Sequence, residues 1–516
     1  MGANPHNPAT AVPDPTDWVE RAARECPQRL FLKTPGGRQL DYLGLREQSA
    51  RWAAALANCG VASGDRIAVR VEKSAEAVLL YIACLRLGAV FVPVNVASSH
   101  NEVAYVLGDC RPRLVVVPGG ERAALAPLAG GAPVETLDAD GGGTLSELAA
   151  RCATAAEPAP PHAPQAPAAI VYTSGTTGRA KGAILTRLNL ASNAAALVAT
   201  WRFGAQDVLL HALPLFHVHG LFTAINTVLA SASGMLLLAK FEGAAAVQHF
   251  TEVTVFMGVP THYTRLLHES SLDRSSTAHM RLFVSGSAPL PVATHQEFLR
   301  RTGHTILERY GMTETLMNTS NPYDGPRVPG SVGPALPGVT VRVTDPDSGQ
   351  VRHGSDVIGT LEIAGPNVFA GYWRDPDKTR SEFTADGWFK SGDLGRIDRD
   401  GYVYIVGRVK DLVISGGYNV YPKEVESELD ALPGVAESAV FGVPHGDFGE
   451  GVTAAVVPRP GVTLSEAALI ELLRPRLARY KLPKRILLVQ ELPRNTMGKV
   501  QKSALRATYA SLYREC

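Results

Sequence analysis

The sequence predicts an α/β protein: a large N-terminal domain of layered α/β subdomains plus a β-rich part, then a small C-terminal α+β domain. Three observations carry this. Residues 67–72, 75–87 and 89–94 read as strand, helix and strand, a βαβ unit that requires parallel pairing. Apolar strand runs alternate with helical patterns over 170–340, then give way to short strands and glycine turns up to about 408. A length of 516 residues exceeds one ordinary core, so two or more domains are expected.

The elements follow from local chemistry. Ser74 is placed to cap the helix 75–87, with Glu76 in its first turn and Gly88 as its stop. Residues 114–117 fit a further strand. The stretch 157–167 holds five prolines (Pro158, Pro160, Pro161, Pro164, Pro167) and reads as an exposed connection. Strand runs resume at 170–173, 235–238, 253–257 and 282–284, and later at 340–344, 359–363 and 402–406. A boundary is expected near 407–411, giving domains 1–408 and 409–516. Beyond it Pro422 suits the first position of a helix, with Val425, Leu429 and Leu432 on one face.

Composition limits the function classes. Hydrophobic content of 45% and charged content of 19% suit a soluble globular protein. A net charge of +1 gives no general attraction to nucleic acid or to acidic membranes. The six cysteines form no CxxC pair and read as reduced, mostly buried thiols. The first fifteen residues lack a signal-peptide core, no apolar run is long enough to span a bilayer, and the ending Ser-Leu-Tyr-Arg-Glu-Cys is no peroxisomal address. These features together read as cytoplasmic.

Five segments carry chemistry. The first runs from Tyr172 through Thr173, Ser174, Gly175, Thr176, Thr177 and Gly178 to Lys181 and Gly182. Glycines let backbone N–H groups turn inward, hydroxyls donate, and Lys181 adds charge, which makes a phosphate cradle. It is not a Walker A loop, because Ala180 and Gly182 flank the lysine. The second, Glu308-Arg309-Tyr310-Gly311-Met312-Thr313-Glu314, reads alone as an ordinary loop with a buried aromatic, yet it offers an aromatic face, a hydroxyl and a carboxylate of the kind that holds nucleotide-bound Mg²⁺. The third sets Asp393 between glycines, suited to a turn or to a pair of ribose hydroxyls. The fourth is Gly407-Arg408-Val409-Lys410-Asp411, followed by Ser415-Gly416-Gly417-Tyr418, which fits a hinge or a solvated turn. The fifth ends on Lys499, which alone is an ordinary surface lysine.

In this order and spacing, the five segments resemble the acyl-adenylate-forming superfamily of acyl-CoA synthetases, luciferases and peptide-synthetase adenylation domains. The resemblance covers residues 15–505. It implies that 173–181 holds the β- and γ-phosphates of ATP. Gly286, Ser287, Ala288, Pro289 and Glu308, Arg309, Tyr310, Gly311 would enclose adenine, with Tyr310 stacking on it. Thr313 would contact the α-phosphate and Glu314 would ligate Mg²⁺. Asp393 would bind the ribose with help from Arg408, and Lys410 would be the hinge of a mobile lid. Lys499 would enter the site during adenylation, and Gly416 and Gly417 would line the thiol channel once the lid turns. No carrier segment follows Lys499, so CoA is the expected thiol.

The acid is read from other stretches. Residues 213–222, 257–267, 280–290 and 308–333 are similar to malonyl-CoA synthetases. That likeness implies malonate as substrate, with methylmalonate as an extension. A dicarboxylate needs a cation for its second carboxylate, and Arg281 is the expected one, with His217 lining the pocket. A fatty or aromatic acid would instead require a wide apolar tunnel. A non-catalytic relative would have lost Lys499, Glu314 or the phosphate loop, and all are present.

Overall fold

The computed structural model describes residues 13–153, 159–173, 180–495 and 498–513. The predicted βαβ unit forms as Arg66–Val69, Ala75–Leu87 and Val90–Pro93, with parallel pairing of the two strands. Ser74 Oγ accepts the Ala77 N–H at 3.0 Å, and Gly88, at φ 77°, ends the helix. These strands belong to a seven-stranded sheet. Its order is Gly371–Tyr372, Lys181–Thr186, Pro167–Thr173, Val90–Pro93, Arg66–Val69, Leu114–Val117 and Val134–Thr136. Pro167 opens a strand, where the connection was expected to continue; a proline's missing N–H is tolerated at a first strand position.

A second sheet has eight strands. The parallel core Gly234–Leu237, Val208–His211, Val255–Gly258, Leu282–Ser285 and Leu307–Met312 turns its carboxyl ends the same way. Ligands of α/β sheets bind outside such ends. From these ends emerge the segment 213–220, the helix Pro260–His268 and the turn 286–289. One apolar core, including Tyr81, Trp201, Met257 and Phe389, joins the two sheets.

The helix Pro15–Glu25 is capped by Asp14. Arg187, buried to 1% exposure, donates to both Asp14 oxygens (2.5 and 2.6 Å) and to the Leu85 carbonyl (3.0 Å). A four-stranded antiparallel sheet, Thr340–Thr344 to Val403–Arg408, forms the β-rich part. The C-terminal part has its own five-stranded sheet and its own core of Val413, Val425, Leu429, Val452, Leu469 and Ile486.

Of the described cysteines, Cys84 and Cys110 are buried and Cys26, Cys59 and Cys152 are half-buried; all are free thiols. Fewer are buried than expected, because Cys26, Cys59 and Cys152 follow helix ends. Among the described residues no helix is long and apolar enough to cross a membrane.

Candidate active site

The nucleotide side is built from strand ends. Asp393 is 3% exposed and lies opposite Arg408 in the strand pair Phe389–Ile397 and Val403–Arg408. The Arg408 Nε sits 2.8 Å from Asp393 Oδ1, and the Tyr310 hydroxyl donates to Oδ2 at 2.5 Å. Asp393 holds the Arg408 guanidinium above its ordinary range. Tyr310, Gly311 and Glu308 lie on the strand Leu307–Met312. The sequence reading treated this segment as a loop.

Glu314 is 7% exposed, and burial raises its pKa above the ordinary carboxylate value. Its Oε1 accepts the Tyr372 hydroxyl at 3.0 Å. The Lys181 ammonium lies 5.8 Å from the centre of the same ring. Tyr372 therefore brings the end of the expected phosphate loop to the expected metal carboxylate. Thr173 and Lys181 end adjacent antiparallel strands in direct register. Ser174, Gly175, Thr176, Thr177 and Gly178 lie outside the described residues. Glu308 is buried, accepts the Leu290 N–H at 2.9 Å through Oε1, and is pushed up to about 7 by burial. Thr313 is half-buried in the turn before Glu314, and Ala288 and Pro289 precede Leu290.

The C-terminal part reaches this site. Lys499 is exposed as a residue; desolvation of its ammonium by the surrounding cleft and the Arg408 charge lower it to about 8, against the opposing pull of Asp393, with Lys410 and Asp411 also near. Lys410 is exposed in the 3₁₀ turn Val409–Asp411, and Asp411 pairs with Arg506 at 3.1 Å. Gly416 and Gly417 (φ 59° and 80°) form the two-residue turn between Val413–Ser415 and Tyr418–Val420. Both left-handed φ values are those a type I′ hairpin requires. This turn is exposed beside Ile414 and Tyr418.

The acid side corrects the sequence reading. Arg281 does not face the site: Nε and Nη2 donate to Asp207 at 2.6 Å each, and Nη1 to the Trp201 carbonyl at 3.1 Å. It precedes the strand Leu282–Ser285, at the end opposite the ligand edge. The cation at the correct end is Arg309, which sequence reasoning assigned to the adenine wall. Strand alternation sends its side chain to the face opposite Glu308 and Tyr310. It is 2% exposed, its Nε and Nη2 have no hydrogen-bond partner among the described residues, and burial lowers it to about 9. It fills the space beside Gly286, where a Cβ would come within 2.4 Å of its Cζ.

Ser287 is held at φ 70°. Its Oγ is 3.2 Å from Nδ1 of the buried His219, which lies in the stretch 213–222 from which the acid was read. The His219 Nε2 is buried without a partner. His217 Nε2 is likewise unpartnered, and burial lowers this imidazole to about 4. Around Arg309, then, stand a strained serine and neutral imidazoles rather than an acid. A cavity of about 310 Å³ is lined by Leu213, Pro214 and His262 and, from the C-terminal part, by Arg494 and Gly498.

Comparison with known proteins gives concordant results. Residues 19–373 match the AMP-binding enzyme family, and residues 424–499 match the AMP-binding enzyme C-terminal domain. A probable CoA ligase of Humulus lupulus is 40% identical over 374 residues, 66% of this chain and 61% of that protein, so the chain spans under two thirds of that relative. The mitochondrial malonate–CoA ligase of Mus musculus is 38% identical over 477 residues, 86% of this chain and 81% of that protein. ATP-bound MatB of Rhodopseudomonas palustris is 52% identical, with a TM-score of 0.94 over 96% of this chain and 99% of that one.

Proposed function

The chain belongs to the AMP-binding enzyme family, and from that premise we propose that it ligates malonate to CoA through a malonyl-adenylate. A malonate oxygen attacks the α-phosphorus of ATP, the new O–P bond forms, and diphosphate leaves. The CoA sulfur then attacks the acyl carbon, AMP departs with the bonding electrons, and the thiol proton passes to solvent. Methylmalonate is a second acid of the same class.

The observation that carries the choice of acid is Arg309, a buried guanidinium with orphaned donors at the ligand edge. A buried cation without a partner is costly unless a ligand completes it. We assign the second carboxylate of malonate to Arg309 and the Ser287 hydroxyl, with His219 orienting that hydroxyl. A fatty acid would leave the guanidinium unpaired.

On the nucleotide side, 173–181 cradles the β- and γ-phosphates, Tyr310 packs against adenine, and Asp393 with Arg408 takes the ribose. Thr313 meets the α-phosphate. The charge of Lys499 offsets the repulsion between the two anions as they meet. Glu314 suits Mg²⁺, because its buried carboxylate has a neutral hydroxyl and no cation bonded to it among the described residues. When bound, that ion neutralises phosphate charge. The boundary is set at 408/409, with Lys410 as hinge. Lid rotation withdraws Lys499 and brings Gly416 and Gly417 toward the thiol.

The test is AMP release with CoA across malonate, methylmalonate, acetate, octanoate and coumarate. Malonate should give the highest kcat/KM. Turnover confined to octanoate or coumarate would overturn the reading in favour of a fatty or aromatic acid.

A further inference from the structure

Lys73 is a charged side chain that none of these roles employs. It lies between the strand Arg66–Val69 and the helix Ala75–Leu87, at the carboxyl edge of the seven-stranded sheet. Its side chain crosses to the other sheet, where Nζ donates to the His211 carbonyl at 2.8 Å. That carbonyl also accepts the Leu238 N–H at 3.0 Å. His211 ends the strand Val208–His211, two residues before Leu213 and the acid-side segment. The His211 Nε2–H in turn donates to the Gly220 carbonyl at 2.8 Å, near the segment's far end.

Lys73 is half-buried and, among the described residues, no carboxylate is paired with its ammonium; desolvation lowers its pKa well below the usual lysine range. The titratable groups it acts on are the imidazoles of His211 and His262, and the Arg265 charge acts on His262 as well. His219, on the same cluster, feels both His211 and Arg309. A half-buried lysine and a buried arginine, one from each sheet, thus flank one group of neutral histidines, and among the described residues neither is paired with an acid. A protein rarely buries charge in this way without a counter-charge arriving from outside.

We propose that Lys73 is a specificity-determining residue for a dianionic acid, its ammonium behind His211 supplying a positive field that malonate neutralises and a monocarboxylate does not. Arg309 touches the second carboxylate, whereas Lys73 acts on the same charge through space and through the His211 carbonyl. The inference rests on the malonate reading above. Charge and support are separable, because Lys73→Met keeps the length and apolar stem while Lys73→Arg keeps the cation.

The experiment compares malonate with propionate, which has the same carbon count and one negative charge fewer. AMP release is measured for wild type, Lys73→Met and Lys73→Arg, with KM for ATP and thermal melting as controls. In Lys73→Met, kcat/KM for malonate should fall roughly tenfold or more through KM, the scale of a unit charge several ångströms away at an effective dielectric near 20. Propionate turnover and KM for ATP should stay within about twofold of wild type. Lys73→Arg should keep most of the malonate activity. Equal losses on both acids, or an arginine variant as impaired as the methionine one, would show mere support of the strand and overturn the proposal. Should Lys73→Met fail to fold, Lys73→Gln carries the same comparison. A wild-type enzyme that prefers propionate would remove the malonate reading itself, and the role of Lys73 with it, before any variant is made.

Discussion

On the nucleotide side, Asp393 is answered by Arg408 at 2.8 Å and by the Tyr310 hydroxyl at 2.5 Å, and Glu314 by the Tyr372 hydroxyl at 3.0 Å. On the acid side, Arg309 keeps two unpartnered nitrogens, Lys73 has one carbonyl, and His217 and His219 each bury a bare ring nitrogen. Among the described residues, the first region pairs Asp393 with a guanidinium but leaves Glu314 without a cation, whereas the second leaves its cations without an acid. Under the proposed function, ATP and its metal ion would bring the positive charge that Glu314 lacks. In that reading the acid supplies the negative charge its pocket lacks, and that deficit would encode specificity. A satisfied polar site binds by exchanging partners, whereas an unsatisfied one rewards only the ligand that fits its missing charge.

The comparison can be broken at several points. The largest effect is expected at Lys499, which serves both regions. Lys499→Ala should lower adenylate formation by roughly a thousandfold, the scale of losing a charge aimed at the transition state. Thioester formation from supplied malonyl-adenylate should survive, and equal loss of both half-reactions would sink the lid assignment. Next, Arg309→Met should lower kcat/KM for malonate by about a hundredfold with KM for ATP little changed, in keeping with removal of a buried charge contact. A matching rise in KM for ATP would return Arg309 to the adenine wall.

Arg281→Ala tests the corrected assignment from the other side. It leaves Asp207 at 7% side-chain exposure without its guanidinium, and should cost about 2–3 kcal/mol in denaturant unfolding. Malonate KM should not move. The smallest effect is on pH. Lys499 is lowered to about 8, so its charge is present below that pH and lost above it. Malonate-dependent ATP–diphosphate exchange should therefore fall as pH rises through about 8, approaching tenfold per unit beyond it. Lys499→Arg, which keeps its charge, should flatten that limb. An unchanged limb would assign it to another group.

The nucleotide side was legible in the sequence because its parts are local strings. The run from Glu308 to Glu314, Asp393 between glycines and the late Lys499 can each be read without knowing which face they occupy. The acid side was not legible, because it depends on face and on strand direction. Arg281 and Arg309 are both arginines beside strands of one sheet. Only the parallel direction of Leu282–Ser285 puts Arg281 at the wrong end, and only two-residue alternation turns Arg309 away from Tyr310. Reading 307–312 as a strand rather than a loop would have supplied that alternation. Lys73 gave no local signal at all, since its partner lies 138 positions away. The fold itself was more accessible: Ser74, Gly88 and the apolar runs around them act over a few residues.

The clamp between Arg187 and Asp14 makes the two ends of the described chain unequal as places to cut or attach. Arg187 lies at the start of a buried helix, and among the described residues its only carboxylate partner is contributed by residue 14. A trim that passes Asp14 would leave a guanidinium sealed in the core beside the Leu85 carbonyl. The opening helix is therefore a structural stopper for the body, and engineered fusions or deletions are better directed elsewhere.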